Sequence, residues 1–367
     1  MKTVKSNNMI YKILFLLVFT IITIQGFAQE FTYANVVERR FVVQKNATID
    51  IYNKYGKIHL ISWEKDSVYI TIDYEIKANK VEKLEKMKTD LEFEFVPSQF
   101  YLTAKTQIGK RANDIMSSIN DIVSLSGNSV MINYTVYVPE NVNLKIENKF
   151  GDVYIDDVKG NLNLKLSNGD LKINRLEGTN NELDLSFGDA TFNYINSARI
   201  TCLYEDVYVK KSNKLIVNSK SSKITLDYID NLKTNSKRDN FYIGNLMSLY
   251  GESTFSDFSI RDFSTEIIFD FKYGDVDIDN IQADFVLIKA SSKYTDIKLF
   301  FEKTSAYSVD ITHKYLELTY PKEISEISEK ISEDTKTNYV YGTIGNGSKK
   351  SKISLTAENG SLNLIQK

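Results

Sequence analysis

The chain has 367 residues, a formal net charge of −2, 42% hydrophobic and 12% aromatic residues, which suffices for one large domain or two ordinary ones. Three prolines against 23 tyrosines and 20 phenylalanines favour β-strands, in which aromatic side chains pack well. The single cysteine, Cys202, excludes an intramolecular disulfide, and the mildly acidic charge gives no electrostatic basis for binding nucleic acid.

Residues 1–28 have the order of parts of a secretory signal peptide. A start with three lysines precedes an apolar run over 13–24, and 26–28 form a small-x-small cleavage site. The run of about twelve residues is short for a bilayer span, which takes roughly twenty, although an uncleaved anchor is the alternative. Cleavage removes three lysines and no acids and takes the formal charge from −2 to −5. The sequence therefore predicts export to the periplasm, the outer membrane or the cell surface, with no integral membrane segment after cleavage.

Residues 29–145 are predicted to form an N-terminal cap that carries a helical insertion. An outlying copy of the repeat described below begins at Lys57. Apolar residues recur at helical spacing within 77–90 and again within 114–123, and strand-like alternation returns afterwards. We therefore expect helix within 77–130 and strands on either side of it.

The segment 146–320 contains one short unit that recurs about every eighteen residues. Its clearest copies are Phe150-Gly-Asp-Val-Tyr-Ile155, Asn168-Gly-Asp-Leu-Lys-Ile173, Phe187-Gly-Asp-Ala-Thr-Phe192 and Tyr273-Gly-Asp-Val-Asp-Ile278. Taken at the Asp position, the anchors of ten successive units are Asp152, Asp170, Asp189, Asp206, Lys223, Asn240, Asp257, Asp275, Asp296 and Tyr315. Successive anchors are 17 to 21 residues apart, which is the mark of a repeat architecture.

Each unit has the pattern of two short strands joined by a corner. After the anchor come an apolar, a polar and an apolar residue, and an alternating apolar pair precedes it at positions −6 and −4. Gly or a small polar residue at −1 is expected to form the corner, because Gly tolerates a left-handed backbone. Stacked units would pair each strand with its counterpart about 4.8 Å along the axis and bury a continuous core.

The predicted fold class is all-β, a single-stranded and right-handed β-helix or solenoid with about ten coils of 17–21 residues and a small helical insertion in the N-terminal cap. A left-handed helix is built from hexapeptides, and the sequence has no six-residue sub-period. An antiparallel sandwich would not keep the interval over so many units. Residues 321–367 are predicted to form a charged loop over 323–336 and a closing C-terminal coil.

Four segments carry a resemblance to a known family. They are Tyr-Val-Pro-Glu at 137–140, the run from 144 to 155 with its Phe-Gly-Asp turn, Gly-Thr-Ile-Gly at 342–345, and Glu-Asn-Gly-Ser-Leu-Asn-Leu at 358–364. With these segments the sequence resembles the bacterial exported "putative adhesin" domains of unknown function, repeat-rich β-solenoids that include the GIN-head adhesin type. The resemblance covers roughly 35–365 and implies the fold, but it has no catalytic motif to carry over.

The residue types that usually carry catalysis are scarce. His59 falls on the outward face of a strand, and His313 falls at position −2, where other units have an aromatic residue that would stack on it. Cys202 falls at an inward position held elsewhere by Leu, as a small buried hydrophobe. No Cys–His pair, zinc cluster or phosphate-binding loop can be assembled, so we expect no catalytic residues and no cofactor. The rival is a β-helix enzyme acting on polysaccharide, yet coils of this length leave little chain to shape a cleft.

The row of anchor carboxylates is the one unusual constellation. It comprises Asp152, Asp170, Asp189 and Asp206 in consecutive coils, and Asp257, Asp275 and Asp296 after a break. The simplest interpretation is that each Asp accepts hydrogen bonds from the backbone of its own turn. The alternative is a row of calcium sites at the first four, since calcium prefers oxygen ligands.

The polar middle residues of the apolar–polar–apolar triplets are predicted to align on one flat face. They are Tyr154, Lys172, Tyr208, Thr225, Tyr242 and Lys298. Tyrosine next to lysine suits a broad contact with an envelope glycan or protein. The sequence thus predicts a non-catalytic envelope protein, an adhesin or binding scaffold. The alternative is a periplasmic structural or regulatory protein that acts through the 77–130 insertion.

Overall fold

A computed structural model describes residues 30–109, 128–333, 335–347 and 350–367. The signal peptide predicted at 1–28 and the second helical segment predicted at 114–123 lie outside the described residues. The described part is mostly β-strand, with one α-helix and one short 3-10 helix. The prediction of an all-β protein with a small helical element is therefore confirmed.

The strands and helices have the following bounds. The N-terminal strands are β1 Phe31–Val42, β2 Thr48–Lys54, β3 Ile58–Trp63, β4 Ser67–Ala78, β5 Leu91–Pro97, β6 Tyr101–Ile108, β7 Ser129–Pro139, β8 Asn143–Lys149 and β9 Val153–Val158, with helix α1 Val81–Asp90 between β4 and β5. The central strands are β10 Leu162–Ser167, β11 Leu171–Leu176, β12 Asn181–Lys220, β13 Lys223–Lys237, β14 Asn240–Thr254, β15 Asp257–Ile281, β16 Leu287–Phe301 and β17 Tyr307–Thr319. The last elements are the 3-10 helix Lys322–Ile324, β18 Ser325–Ser332, β19 Thr337–Ile344 and β20 Ser351–Gln366.

The strands form one large, mostly parallel sheet whose register follows the sequence repeat. Leu144 of β8 pairs with Leu162 of β10, an offset of 18 residues. The offset is 19 between β10 and β12 and 17 from β12 to β13 and from β13 to β14. From β8 to β16, each repeat unit, called a coil below, therefore pairs with the next unit in the chain, as the period predicted.

The order of pairing departs from the order of the chain at both ends. Strand β2 lies between β6 and β8, so the first copy of the repeat is covered by a later segment. Strand β20 lies between β16 and β17, with Leu287 and Tyr307 on either side of 351–352. The C-terminal coil thus inserts between two coils that are neighbours in the chain.

Contacts divide the chain into two compact units. One comprises the described residues of Met1–Ala34, Glu75–Leu91 and Ile108–Val130, and the other comprises Asn35–Tyr74, Glu92–Gln107 and Met131–Lys367. In the first unit, α1 buries Leu84 and Met87, and Lys88 binds Glu85 and lies 4.4 Å from the Tyr33 ring. The helix predicted within 77–90 is confirmed.

The range 77–130 is only partly the helical insertion that the sequence predicted. It also contains β5 and β6, and β6 pairs in register with β2 of the second unit, Ile49 opposite Leu102 and Ile51 opposite Ala104. All four of these side chains are fully buried. A deletion of 77–130 would therefore remove a strand of the sheet along with the helix.

The charged segment 323–336 is not the loop that the sequence predicted. Strands β18 and β19 form an antiparallel hairpin, and β19 pairs antiparallel with β17. The glutamates and lysines of β18 mostly face outward, which suits the last strand of a sheet because charge on an edge discourages further pairing. High charge therefore marks an edge strand at this place and not an absence of structure.

The left-handed residue of the corner is not the one that the sequence predicted, which was the Gly or small polar residue at position −1. The left-handed residue stands at position −2, with φ of 59° at Phe150, 63° at Phe187 and 56° at Tyr273. Gly151, Gly169 and Gly188 are needed for space, because a Cβ on each would lie 2.1–2.2 Å from the carbonyl oxygen of the glycine in the coil before it. Close stacking of coils, and not left-handed backbone, requires these three glycines.

The same register corrects the prediction for His313. Tyr315 has the left-handed φ of 52°, so it occupies position −2 and not the anchor position. His313 pairs with Ala357, which in turn pairs with Ser292, and both are inward positions. His313 is therefore buried at position −4 and is not part of the aromatic series. An irregular interval before the last unit misplaced it by two residues.

Position −4 and position −1 together fill a buried space beneath each left-handed residue, which we call the inner corner. Where −4 is bulky, as at Leu166 and Leu185, −1 is glycine. Where −4 is small and polar, as at Ser219 and Ser236, −1 carries a polar side chain. The four polar residues at −1 in this stretch, all buried, are Glu205, Ser222, Asp239 and Ser256. Over 148–295 the two positions therefore compensate in volume, whereas in the last coil the bulky His313 at −4 is combined with Leu316 at −1.

Candidate functional site

A row of aromatic rings, all exposed except the half-buried first one, runs along the outer side of the corner. Each member occupies the left-handed position −2; they are Tyr55, Phe150, Phe187, Tyr204, Phe255, Tyr273, Tyr294 and Tyr315. Tyr55 stacks on Phe150 at 5.5 Å between ring centroids, and Tyr273 stacks on Tyr294 at 5.2 Å. Stacking of this kind contributes about 0.5–1.5 kcal/mol per pair beyond burial of area, which offsets part of the cost of a left-handed bulky residue.

The anchor row lies two residues after the aromatic row. The Oδ1 atom of Asp152 accepts the backbone N–H of Asp170 at 3.1 Å, and the Oδ1 atom of Asp170 accepts that of Asp189 at 3.1 Å. Asp257 does the same for Asp275 at 2.9 Å. These carboxylates thus bind the backbone of the next coil. The expectation that each would bind the backbone of its own turn is therefore wrong for them. Among the described residues, no group of His, Cys, Asp or Glu side chains is arranged to hold a metal ion.

Parallel pairing aligns five of the six predicted face residues in two runs, and the sixth, Lys298, lies opposite Asp277 with 3.7 Å between Nζ and Oδ1. His59, Tyr154, Lys172 and Thr191 lie opposite one another in successive strands. Tyr208, Thr225, Tyr242 and Ser259 form the second run. The phenol of Tyr154 donates to Asp152 at 3.1 Å, and that of Tyr208 donates to Asp227 at 2.6 Å.

The aromatic and anchor rows are both interrupted at the inserted coil of β20, by Asn359 and Ser361, and Asn168 interrupts the aromatic row alone. Both rows also stop together at two neighbouring coils of the central strands. Ser221 and Arg238 replace the aromatic residues, and Lys223 and Asn240 replace the acids. The break lies directly above the polar inner corner. The sequence shows the substitutions, but their coincidence on one side of the molecule depends on the register.

The polar inner corner is a connected hydrogen-bond network that sequence reasoning missed. Asp239 is 1% exposed and accepts four hydrogen bonds. Its Oδ1 accepts the Ser222 N–H at 2.8 Å, and its Oδ2 accepts the Ser219 and Ser236 hydroxyls, both at 2.7 Å, and the Lys237 N–H at 2.9 Å. A buried carboxylate with this many donors is stable without a counter-ion. The signal in the sequence is an acid at −1, where glycine is usual.

Glu205 lies at the boundary between the glycine stack and this network. Its Oε2 accepts the Gly188 N–H at 3.1 Å, while its Oε1 is buried without a hydrogen-bond partner. Burial raises the pKa of Glu205 to about 7. The hydrogen bond from the Gly188 N–H acts in the opposite direction, and the negative charges of Asp189 and Asp170 add to the rise. Glu205 therefore titrates near neutral pH.

The remaining sequence candidates are separate from these features. Cys202 is buried at position −4, and burial raises the pKa of its thiol to about 12, which suppresses the reactive thiolate. His59 is exposed, 3.9 Å from Asp156 and edge-on to Tyr154 at 6.3 Å. His313 is buried with Nδ1 unpartnered, and burial lowers the pKa of its imidazole.

Comparison with known proteins places the chain beside several solved structures. No family model matches the sequence, and no curated protein matches it. The chain is similar to a "putative cell adhesion protein" from Clostridium sporogenes, with 10% identity, coverage of 91% of this chain and 100% of that one, and a TM-score of 0.20. It is also similar to a "putative adhesin" from Bacteroides fragilis, with 11% identity, coverage of 90% and 97%, and a TM-score of 0.26. A "putative lipid binding protein" from Parabacteroides distasonis has 10% identity, coverage of 91% and 97%, and a TM-score of 0.30.

No helix in the described ranges is both long enough and apolar enough to cross a membrane.

Proposed function

We propose that this chain is a non-catalytic binding scaffold of the cell envelope, exported by the signal peptide at 1–28, in which a β-solenoid presents repeated side chains to a glycan or protein. The parallel offsets of 17 to 19 residues support single-stranded coils, about ten in number. Right-handed winding is the expectation, because crossovers between parallel strands of one sheet are right-handed in about 98% of cases.

One observation carries the binding role. Register alignment places Tyr208, Thr225 and Tyr242 opposite one another in successive strands, with Tyr242 exposed and the other two half-buried. Neighbouring strands lie about 4.8 Å apart, so the face repeats at a spacing that an extended partner can follow. Tyrosine contributes contact area together with a polar handle, and Tyr242 is 48% exposed.

The test replaces Tyr154, Tyr208 and Tyr242 with Ser in the mature protein. We expect adhesion of cells or beads that carry the variant to fall at least tenfold, while circular dichroism and melting temperature stay close to those of the parent. The matched control replaces three exposed tyrosines elsewhere with Ser, namely Tyr228, Tyr339 and Tyr341. Undiminished adhesion by a folded face variant would remove this face as the binding surface.

The second candidate is action through the helical unit. The observation that favours it is that the described residues of Glu75–Leu91 and Ile108–Val130 belong, with the described residues of Met1–Ala34, to a compact unit of their own. Since 77–130 also contains β6, substitution is a cleaner test than deletion. Changing the outward Val81, Glu82 and Lys86 of α1 to Ser, Gln and Gln should abolish partner capture if this unit is the binding element, and leave it unchanged if the solenoid face is.

A further inference from the structure

Four cations meet where the aromatic and anchor rows stop. They are Lys220, Lys223, Lys237 and Arg238, and we call them, with Ser221, the basic gap. All four cations are exposed and lie on two neighbouring coils, with Lys220 directly opposite Lys237 in the parallel register. In the part of the chain that the structure describes, none of them forms an ion pair with a carboxylate.

The charge arrangement of the basic gap is unfavourable without an anion. Like charges directly opposite each other on paired strands destabilise the pair. The buried Asp239 carboxylate is engaged by four donors of the inner corner, so it is not available to the lysine side chains. Asp206 lies opposite Lys223 on the anchor side, which leaves Lys220, Lys237 and Arg238 as a cluster on the other side of the corner.

Aromatic rings border the basic gap on both sides. Tyr204 stacks on Phe187 at 5.4 Å with an interplanar angle of 21°, and Phe255 stacks on Tyr273 at 4.7 Å and 14°. One face of each ring is thus covered, and the other face looks into the basic gap. The rings stand three coils apart, about 14 Å at the usual strand separation. Ser221, next to Tyr204 in the corner series, is too small to cover that ring.

We propose that the basic gap binds an acidic polysaccharide, one whose sugar rings carry carboxylates. A sugar ring would stack on the open face of Tyr204, and its carboxylate would lie among Lys220, Lys237 and the planar guanidinium of Arg238, which binds carboxylates in bidentate fashion. The polar inner corner holds the backbone of both coils in place beneath the ligand. This inference goes beyond the proposed function, because the basic gap and the tyrosine face are different rows and either can fail alone.

The experiment titrates the mature protein with oligogalacturonate, the same oligomer after reduction of its carboxyl groups, and polyglutamate. We expect oligogalacturonate to bind at least tenfold more tightly than either of the others, and its affinity to fall as salt rises because the contact is electrostatic. The charge variant combines Lys220→Ser, Lys237→Ser and Arg238→Asn. Asn is chosen because position 238 has a φ of 60°, which Asn adopts readily.

The charge variant should lose at least tenfold in affinity for oligogalacturonate. A control of equal charge, Lys272→Ser with Lys289→Ser and Lys314→Ser, should stay within twofold of the parent. Tyr204→Ser should weaken the binding of oligogalacturonate but not that of polyglutamate, which has no sugar ring to stack on Tyr204. Ser is tolerated at this position because Ser221 has the same left-handed backbone. Equal binding of the reduced oligomer or of polyglutamate, or an equal loss in the control, overturns the proposal. Retained adhesion by the charge variant would leave the tyrosine face intact as a separate surface.

Discussion

The inner corner is apolar around Leu166 and Leu185 and polar around Ser219 and Ser236, although the backbone follows the same path through both stretches. The apolar stretch pairs a large side chain with a glycine in contact with the coil before it. The polar stretch replaces that volume by a carboxylate and hydroxyls that satisfy one another. The comparison teaches that the side chains of the inner corner must fill its volume and must satisfy every buried polar group with a hydrogen bond. They do not have to be hydrophobic.

The largest effect should come from removing the carboxylate of the polar stretch. Asp239→Ala leaves two hydroxyls and two backbone N–H groups without their acceptor, and we expect a loss of about 4 kcal/mol in the free energy of unfolding. Chemical denaturation measures it, with exposed Asp184→Ala as the control, expected within about 0.5 kcal/mol. A loss below about 1 kcal/mol would show that the network is dispensable.

In the apolar stretch the sensitive position is the glycine. Gly169→Ala would place a Cβ 2.2 Å from the Gly151 carbonyl oxygen, so the coils must separate, and we expect a cost of about 3 kcal/mol. At the same position in the polar stretch, Ser222→Ala keeps its Cβ and loses hydroxyl hydrogen bonds, at about 1 kcal/mol. Equal costs at the two sites would contradict the steric account of the glycine stack.

Glu205, at the boundary between the two stretches, should make the free energy of unfolding depend on pH. The pKa of Glu205 rises on folding from 4.5 to about 7, so the folded state holds the proton more tightly. Its stabilising contribution is complete below pH 4.5 and is lost as pH rises through 7, by about 2–3 kcal/mol. Subtracting the stability curve of Glu205→Gln from that of the parent isolates this change from other titrations. A difference that does not vary between pH 4 and 8 would contradict the assignment, and exposed Glu182→Gln serves as the control.

The smallest effect concerns the anchor row beside the apolar stretch. Since Asp152 and Asp170 already accept backbone N–H groups of the next coil, millimolar calcium should leave the melting temperature within a degree. The melting curves are recorded with calcium, magnesium and chelator. A rise of several degrees that only calcium produces would favour the calcium sites that the sequence left as an alternative.

Much of the fold follows from local pattern. The interval between Phe-Gly-Asp units predicted the parallel register, since a strand that repeats with one face inward can bury that face only against its own copies. Alternation also predicted that Cys202 and Leu185 are buried. The helix within 77–90 followed from its 3.6-residue spacing.

Other features depend on neighbours that are remote in the chain. Which residue is left-handed, and why glycine follows it, depends on the distance between stacked coils, and the insertion of β20 between β16 and β17 depends on pairing across more than thirty residues. The place of His313 needed the register of that inserted strand. The basic gap and the polar inner corner likewise exist only because parallel pairing brings together residues about 17 positions apart. The sequence by itself determined the repeated unit and its buried face, whereas the tertiary structure decided which units meet and what their meeting leaves exposed, because contacts between coils are set by packing and not by local pattern.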